Sequence, residues 1–237
     1  MPTILTIKQE IYILQELKKL YVDDYGSSRL VFMDCEQILH DLGLDVPKSI
    51  VIKLSCGIGG MNQTYKEIQT FLEGEGPFAE IYYYGRFVEI MERVTPLWFR
   101  DSLEEFDGDA GRLLAYYKDD EDYQKEEDLI YKCAYIADEM CTRYNCYSAD
   151  FFQVGENEDG ELRLFDYGFI PHAGYQQCSM DVVSTLTDVD NSLEDYIKDC
   201  ITFLETTTTL YLCQDYSTFD VLEQRYRDYE YEEDDGE

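Results

Sequence analysis

The alternation of apolar and polar residues in the first hundred positions predicts a helix, two strands, a second helix and two more strands. Apolar residues recur at a helical spacing across residues 6–22. Residues 57–60, Gly-Ile-Gly-Gly, indicate a break in the chain, and Asn62 is a candidate N-cap for a helix over 63–72. The runs that favour strands are 29–33, 49–54, 78–84 and 86–91.

The second half of the chain has a different pattern. Residues 101–128 contain twelve acids and three basic residues around short apolar pairs, which predicts a solvated helix pair with a charged loop. Residues 129–144 are amphipathic with a helical period. A hairpin is predicted for 151–165, because apolar runs flank Asp159-Gly160. Residues 180–222 have a mostly helical pattern.

These elements predict an α+β fold with two lobes and a tail. We expect an N-terminal lobe over residues 1–94, made of a helix and a small antiparallel sheet, and a mostly helical lobe over 95–227. The last ten residues, 228–237, carry seven acids and no base, so we expect a disordered acidic tail.

The composition limits the classes of function that the chain can have. Its 237 residues include 51 Asp and Glu against 19 Lys and Arg, for a formal net charge of −32. Direct binding of nucleic-acid phosphates needs clustered basic residues, so this balance argues against it. Hydrophobic residues still make up 45% and aromatic residues 15%, which excludes a wholly disordered protein.

The cysteines and the apolar runs indicate a cytoplasmic protein without a membrane partner. Eight Cys include no Cys-x-x-Cys pair and only two His accompany them, so we expect reduced buried thiols and no zinc site. The first eight residues lack the pattern of a secretory signal. No run approaches the ~20 apolar residues of a membrane span.

Several short motifs occur in a fixed order along the chain. They are the turn Gly26-Ser27-Ser28, the strand end Val51-Ile52-Lys53, a helix containing Glu67, the strand end Ile90-Met91-Glu92-Arg93-Val94, and a hairpin ending in Asp166-Tyr167-Gly168. This order, over about residues 25–170, resembles the protein-kinase-like fold. It is also similar to the small kinase-like proteins that some bacteriophages encode. The resemblance implies a bilobal protein with ATP and Mg²⁺ as cofactors.

The resemblance also implies roles for individual residues. A loop of Gly26, Ser27 and Ser28 would cover the ATP phosphates, which Lys53 would hold while paired to Glu67. Backbone groups near Glu92 and Val94 would contact the adenine, and Asp166 would hold magnesium. A lysine inside a strand needs a partner or ligand when it is buried. The alternative is that Lys53 reaches water and that Glu67 is a surface residue.

The catalytic centre departs from the family pattern. Counting back from Asp166 puts Gln153 at the position of the Asn that binds a second magnesium, and Ser148 at the position of the catalytic Asp. Serine has no carboxylate that could accept a proton near neutral pH. Asp150, two residues further on, is therefore the candidate catalytic base if the loop is remodelled.

These features favour a degenerate protein-kinase-like protein that binds ATP and has weak or no phosphotransferase activity. Its main action would be to bind a basic or nucleic-acid-binding protein through its acidic surface. One alternative is an active ATP-dependent protein kinase, and another is a nucleic-acid mimic that inhibits a DNA- or RNA-binding protein. A further alternative is that the acidity serves solubility alone.

Overall fold

The computed structural model describes residues 1–26, 28–46, 48–74, 76–144, 153–167, 182–187 and 191–206. The fold is α+β, as predicted. The chain divides into two compact units. Unit 1 comprises Met1–Tyr65, Ile81–Met91 and His172–Glu237, and unit 2 comprises Lys66–Glu80 and Glu92–Pro171. The sequence-based boundaries at residues 94 and 227 stay predictions, and the acidic segment 228–237 lies outside the described residues.

Unit 1 is built on a six-stranded sheet. Its strands are β1 (Thr3–Ile4), β2 (Asp24–Tyr25), β3 (Arg29–Met33), β4 (Ile50–Ser55), β5 (Ile81–Tyr84) and β6 (Val88–Glu92). Their spatial order is β1-β5-β6-β4-β3-β2. The β3–β4 and β5–β6 pairs are antiparallel, as predicted, and β2, which was not predicted as a strand, pairs antiparallel with β3. Strand β1 runs parallel to β5 and makes the sheet mixed.

The apolar face of this sheet forms the core of unit 1. Side chains alternate between the two faces of a strand, so Leu30, Phe32, Ile52 and Leu54 share one face. The helices α1 (Ile7–Leu17) and α2 (Glu36–Asp41) contribute apolar residues to the same core. The helix that we label α8 (Ser192–Thr206) contributes its buried face as well, although it lies far along the chain. Helix α1 begins at a capping box between Thr6 and Gln9.

Helix α3 runs from Gly57 to Glu73 and begins six residues before the predicted start. The predicted break at residues 57–60 is therefore wrong, because these residues form the first turn of the helix. Glycine is required at position 60, because a Cβ there would lie 2.2 Å from the backbone oxygen of Ser28. Glycine thus allows a close approach of helix and sheet that any larger residue would prevent.

Unit 2 combines short helices with a three-stranded sheet. The helices are α4 (Arg100–Glu105), α5 (Ala110–Tyr116), α6 (Glu121–Lys125) and α7 (Glu127–Tyr144), and the strands are β7 (Thr95–Pro96), β8 (Val154–Glu156) and β9 (Leu162–Leu164). The predicted hairpin is confirmed as β8 and β9, with shorter strands. The acidic segment forms three short helices where a pair was predicted. No helix in the described part of the chain is long and apolar enough to cross a membrane.

Candidate functional site

Lys53 lies near the middle of β4, a strand whose six residues are all buried. It pairs with Val31 of β3, and only 6% of its surface is exposed. The strand is bordered by β3 on one side and by β6 on the other. A charged ammonium in such surroundings needs a partner or a ligand to offset its lost hydration. This burial argues against the alternative in which Lys53 reaches water.

Glu67 and Asp166, two of the acidic residues of the predicted site, belong to unit 2. Glu67 lies in α3 and is fully buried, so it is not the surface residue of the alternative interpretation. Asp166 follows β9 and has a φ of 54°, in the left-handed region. Aspartate adopts this region more readily than most residues, and Asp34 and Asp107 do so as well, so the angle alone assigns Asp166 no role.

A buried polar network lies within unit 1, and the sequence analysis did not identify it. The guanidinium of Arg29 contacts the carboxylate of Glu89 at 3.0 Å, and both side chains are buried. The same guanidinium donates to the Thr64 hydroxyl at 3.4 Å, and Thr64 lies 3.0 Å from the Ser55 hydroxyl. Arg29 and Ser55 are register partners beside Lys53. The end of the β3–β4 pair beside Lys53 therefore carries a buried polar network.

The segment predicted to cover the ATP phosphates is only partly described by the structure. The N–H of Gly26 donates to the carbonyl of Arg29 at 2.9 Å, which closes a tight turn. Ser27 lies outside the described residues. Ser28 is buried, its hydroxyl donates to the side chain of Gln63, and its carbonyl accepts from the N–H of Cys56 at 2.9 Å. Ser28 is therefore held against α3, and its hydroxyl is already engaged.

Glu92 has a structural role in unit 2. Its buried carboxylate accepts hydrogen bonds from Asn157 at 2.7 Å and from Arg163 at 3.2 Å. Its N–H donates to the carbonyl of Glu80 at 2.8 Å. A predicted adenine contact near Glu92 and the half-buried Val94 would have to use other backbone groups, and it stays a prediction.

The environment of Gln153 is unfavourable for a metal. Its side-chain oxygen accepts from the Arg100 guanidinium at 3.3 Å, so a cation already occupies the position beside it. A magnesium ion bound there would lie next to a positive charge. Asp150 and Ser148 lie outside the described residues. No group of three or more His, Cys, Asp or Glu side chains arranged for a metal occurs among the residues with a described position.

Four cysteines have described side chains, and all four are buried free thiols, namely Cys35, Cys56, Cys133 and Cys200. Burial raises the pKa of Cys56 to about 12 because the charged thiolate is poorly solvated there. Burial also raises the pKa of Cys133 to about 12. The thiolate is the reactive form, so these thiols are structural and inert near neutral pH.

Comparison of the chain with protein-family models, with curated proteins and with solved structures found no match. The function of the chain is therefore inferred from its own residues.

Proposed function

We propose that this chain is a degenerate protein-kinase-like protein that binds MgATP through Lys53 and has weak or no phosphotransferase activity. The position of Lys53 carries the proposal. The lysine is buried in a central strand of the sheet, and the helix that follows it directly in the chain contains the buried Glu67. Protein kinases hold the ATP phosphates with a lysine on such a strand, and a glutamate on the helix that follows pairs with this lysine.

The elements around Lys53 support the same proposal. Strand β3 precedes the lysine strand with the short helix α2 between them, α3 follows the lysine strand, and the antiparallel pair β5–β6 completes the series. Apart from α2, this is the order of strands and helix on which the resemblance to the kinase-like fold rests. A bilobal kinase-like architecture is part of the proposal, with Asp166 as the magnesium ligand.

Three positions support weak or absent catalysis. Ser148 occupies the place of the catalytic base, Gln153 contacts Arg100, and the hydroxyl of Ser28 is engaged by Gln63. Phosphoryl transfer depends mainly on positioning and charge stabilisation, so nucleotide binding does not require all the catalytic groups. ATP binding without efficient transfer is therefore the expected behaviour, with Asp150 as the residue that could still supply a base.

Thermal unfolding with and without MgATP tests nucleotide binding. MgATP at ten to one hundred times its dissociation constant should add about 1.4–2.7 kcal/mol to the free energy of unfolding. Lys53→Met removes the ammonium and keeps an apolar side chain of similar length in the buried strand. Lys8→Ala is the matched control, because it removes one positive charge from an exposed position in α1 of the same unit.

We expect MgATP to stabilise the unaltered chain and Lys8→Ala, but not Lys53→Met, with circular dichroism confirming that each variant is folded. Stabilisation that persists in Lys53→Met would contradict the assignment, as would its absence in the unaltered chain. Transfer of labelled phosphate from ATP to a basic protein at rates typical of kinases would instead favour the active-kinase alternative. Loss of that transfer in Asp150→Asn would then identify the base.

A second proposal concerns the acidic surface, which would bind a basic partner protein. The observation that favours it is the concentration of charge on unit 2, where residues 101–128 hold twelve acids and three bases on short exposed helices. Complementary charge accelerates association and makes it sensitive to salt. Binding of purified core histones at low ionic strength, with loss at high ionic strength, is the expected result. Failure to bind any strongly basic protein would contradict it.

A further inference from the structure

Unit 2 contains a continuous series of aromatic side chains, which we call the aromatic ladder: Trp98, Tyr123, Tyr117, Tyr116 and Phe106. Tyr123 and Tyr117 stack with ring centroids 4.0 Å apart and planes 5° from parallel. Trp98 meets Tyr123 edge-on at 4.7 Å, and Tyr116 meets Tyr117 at 4.9 Å. Phe106 continues the series from Tyr116 at 5.4 Å. These contacts fix the rings relative to one another before any ligand binds.

Both parts of the ladder beyond the central stack present aromatic surface to solvent. Trp98 is 56% exposed and Tyr116 is 70% exposed, whereas Tyr123 in the middle is buried. The hydroxyl of Tyr123 is 2.6 Å from that of Ser102, which holds the central ring in place. Large exposed aromatic side chains that are rigidly supported are typical of binding surfaces.

The charge of the same segment selects the chemistry of the partner. Segment 106–123 contains four of the five ladder residues and two exposed basic residues, Arg112 and Lys118. Its exposed carboxylates are more numerous, namely Asp107, Asp109, Asp119, Asp120, Glu121 and Asp122. An aromatic surface surrounded by carboxylates attracts cations, because ring faces and carboxylates both carry negative potential. An acidic partner would have to approach against this field.

One guanidinium of the chain already lies on the ladder. The guanidinium carbon of Arg112 is 5.9 Å from the ring centroid of Phe106, and one of its nitrogens lies 3.9 Å from a carboxylate oxygen of Asp107. This arrangement combines a ring face and a carboxylate around a single arginine. It shows within one molecule the type of contact that the rest of the surface can repeat.

We propose that the aromatic ladder binds an arginine-rich segment of a partner protein. This inference rests on the second proposed function, the binding of a basic partner, and assigns it to a particular surface. Arginine is favoured over lysine because its planar guanidinium stacks on aromatic rings, pairs with carboxylates through two nitrogens and is more weakly hydrated. Trp98 and Tyr116 are the contact residues, and the neighbouring carboxylates pair with the remaining guanidinium groups.

Trp98 makes the proposal directly measurable, because it is the single tryptophan of the chain. Titration of the full chain with octa-arginine at low ionic strength should change the tryptophan emission at saturation. Octa-lysine has the same charge and is the matched control ligand. We expect octa-arginine to bind more tightly than octa-lysine, and both to weaken at high ionic strength.

Variants of Tyr116 separate the ring from the charge. Tyr116→Ala should weaken octa-arginine binding about two- to fivefold, the size of an exposed cation–π contact, whereas Tyr116→Phe keeps the ring and should retain the affinity. Tyr21→Ala is the control, because Tyr21 is 93% exposed but belongs to unit 1. Far-UV circular dichroism and the melting temperature check that each variant is folded.

The possible outcomes distinguish the ladder from the acidic surface as a whole. Equal affinity for the two peptides together with full affinity in Tyr116→Ala overturns the ladder and leaves the acidic-surface proposal standing. Binding of core histones without any change in Trp98 emission on peptide addition also overturns the ladder alone. Absence of binding to histones and to both peptides overturns both proposals.

Discussion

The hydroxyl of Tyr196 donates a hydrogen bond to the backbone carbonyl of Ser55 at 2.8 Å. The same hydroxyl accepts from the N–H of Gly57 at 3.2 Å. Ser55 ends β4 and Gly57 begins α3, so one buried phenol bridges the strand–helix junction that follows Lys53. Tyr196 belongs to α8, and 141 positions separate it from Ser55. The start of α3 is therefore fixed by a helix from a distant part of the chain.

Removal of this hydroxyl should destabilise the protein measurably. Tyr196→Phe keeps the ring but leaves the carbonyl of Ser55 and the N–H of Gly57 without this partner, which costs about 1–3 kcal/mol for buried groups. Burial also raises the pKa of Tyr196 well above its usual value, so the phenol remains a donor at all ordinary pH values. Urea denaturation gives the change in the free energy of unfolding.

Tyr12→Phe is the matched control for Tyr196→Phe. The Tyr12 hydroxyl makes one long hydrogen bond of 3.3 Å to Asp41 near the surface, so its removal should cost less than about 0.5 kcal/mol. A loss in Tyr196→Phe no larger than that in Tyr12→Phe would show that the bridge contributes nothing.

Gly60 should not tolerate even a methyl group. In Gly60→Ala the new Cβ would lie 2.2 Å from the Ser28 oxygen and 3.2 Å from the Ser55 backbone, so helix and sheet must separate. Overpacking of this kind costs about 1–3 kcal/mol. Gly26→Ala is the control, since the nearest atom would be 3.7 Å away, and its melting temperature should stay close to that of the unaltered chain. Similar melting temperatures for both variants would refute the close-packing account of Gly60.

The start of α3 shows where sequence reasoning was insufficient. Residues 57–60 contain three glycines, and local rules interpret such a run as a break between elements. The decisive constraint is the distance between this turn and the backbone of Ser28, which no local pattern reveals. The β8–β9 hairpin was predictable for the opposite reason, because Gly160, with a φ of 74°, acts within its own turn.

The acidic segment and the polar network of Arg29 and Glu89 illustrate two further limits of prediction from the sequence. Asp109 and Asp120 were counted only as surface charge, but each caps a short helix by accepting a backbone N–H, which explains three helices in place of a pair. Their position before an apolar pattern was a usable signal. The pairing of Arg29 with Glu89 was not predictable, because 60 positions separate the two residues. The positions of Lys53 and Glu67 were inferred from the family order, and both proved to be buried.

The buried ion pair of Arg29 and Glu89 should be costly to break. Glu89→Gln removes the negative charge and leaves the Arg29 guanidinium buried without a counter-charge at this position, which costs about 3–5 kcal/mol. Glu16→Gln is the control, because it breaks an exposed pair with Lys19 worth less than about 1 kcal/mol. Urea denaturation at low and high salt measures both losses, and only the smaller should depend on salt. A loss of under 1 kcal/mol in Glu89→Gln would contradict the assigned role.

The carboxyl group of Glu10 should make stability depend on pH. It is fully buried beside Gly85, where burial raises its pKa and hydrogen bonds from the N–H groups of Phe87, at 2.6 Å, and Val88, at 3.3 Å, only partly offset the effect. The folded state therefore binds the proton more tightly than the unfolded state, whose pKa is near 4.5. The contribution of Glu10 to stability is largest below that value and falls as the pH rises through the folded-state pKa.

Glu10→Gln removes this titration while an amide oxygen can still accept from Phe87. Any cost of accommodating the amide is independent of pH. The diagnostic quantity is therefore the slope, against pH, of the difference in free energy of unfolding between Glu10→Gln and the unaltered chain. We expect the free energy of unfolding of Glu10→Gln, relative to the unaltered chain, to increase as the pH rises above 4.5. Glu205→Gln, at an exposed position of α8, removes the same charge and controls for the general relief of acidic repulsion. Urea denaturation across this range should give a clearly steeper relative increase for Glu10→Gln, and parallel curves for the two variants would show that the buried carboxyl is not the source.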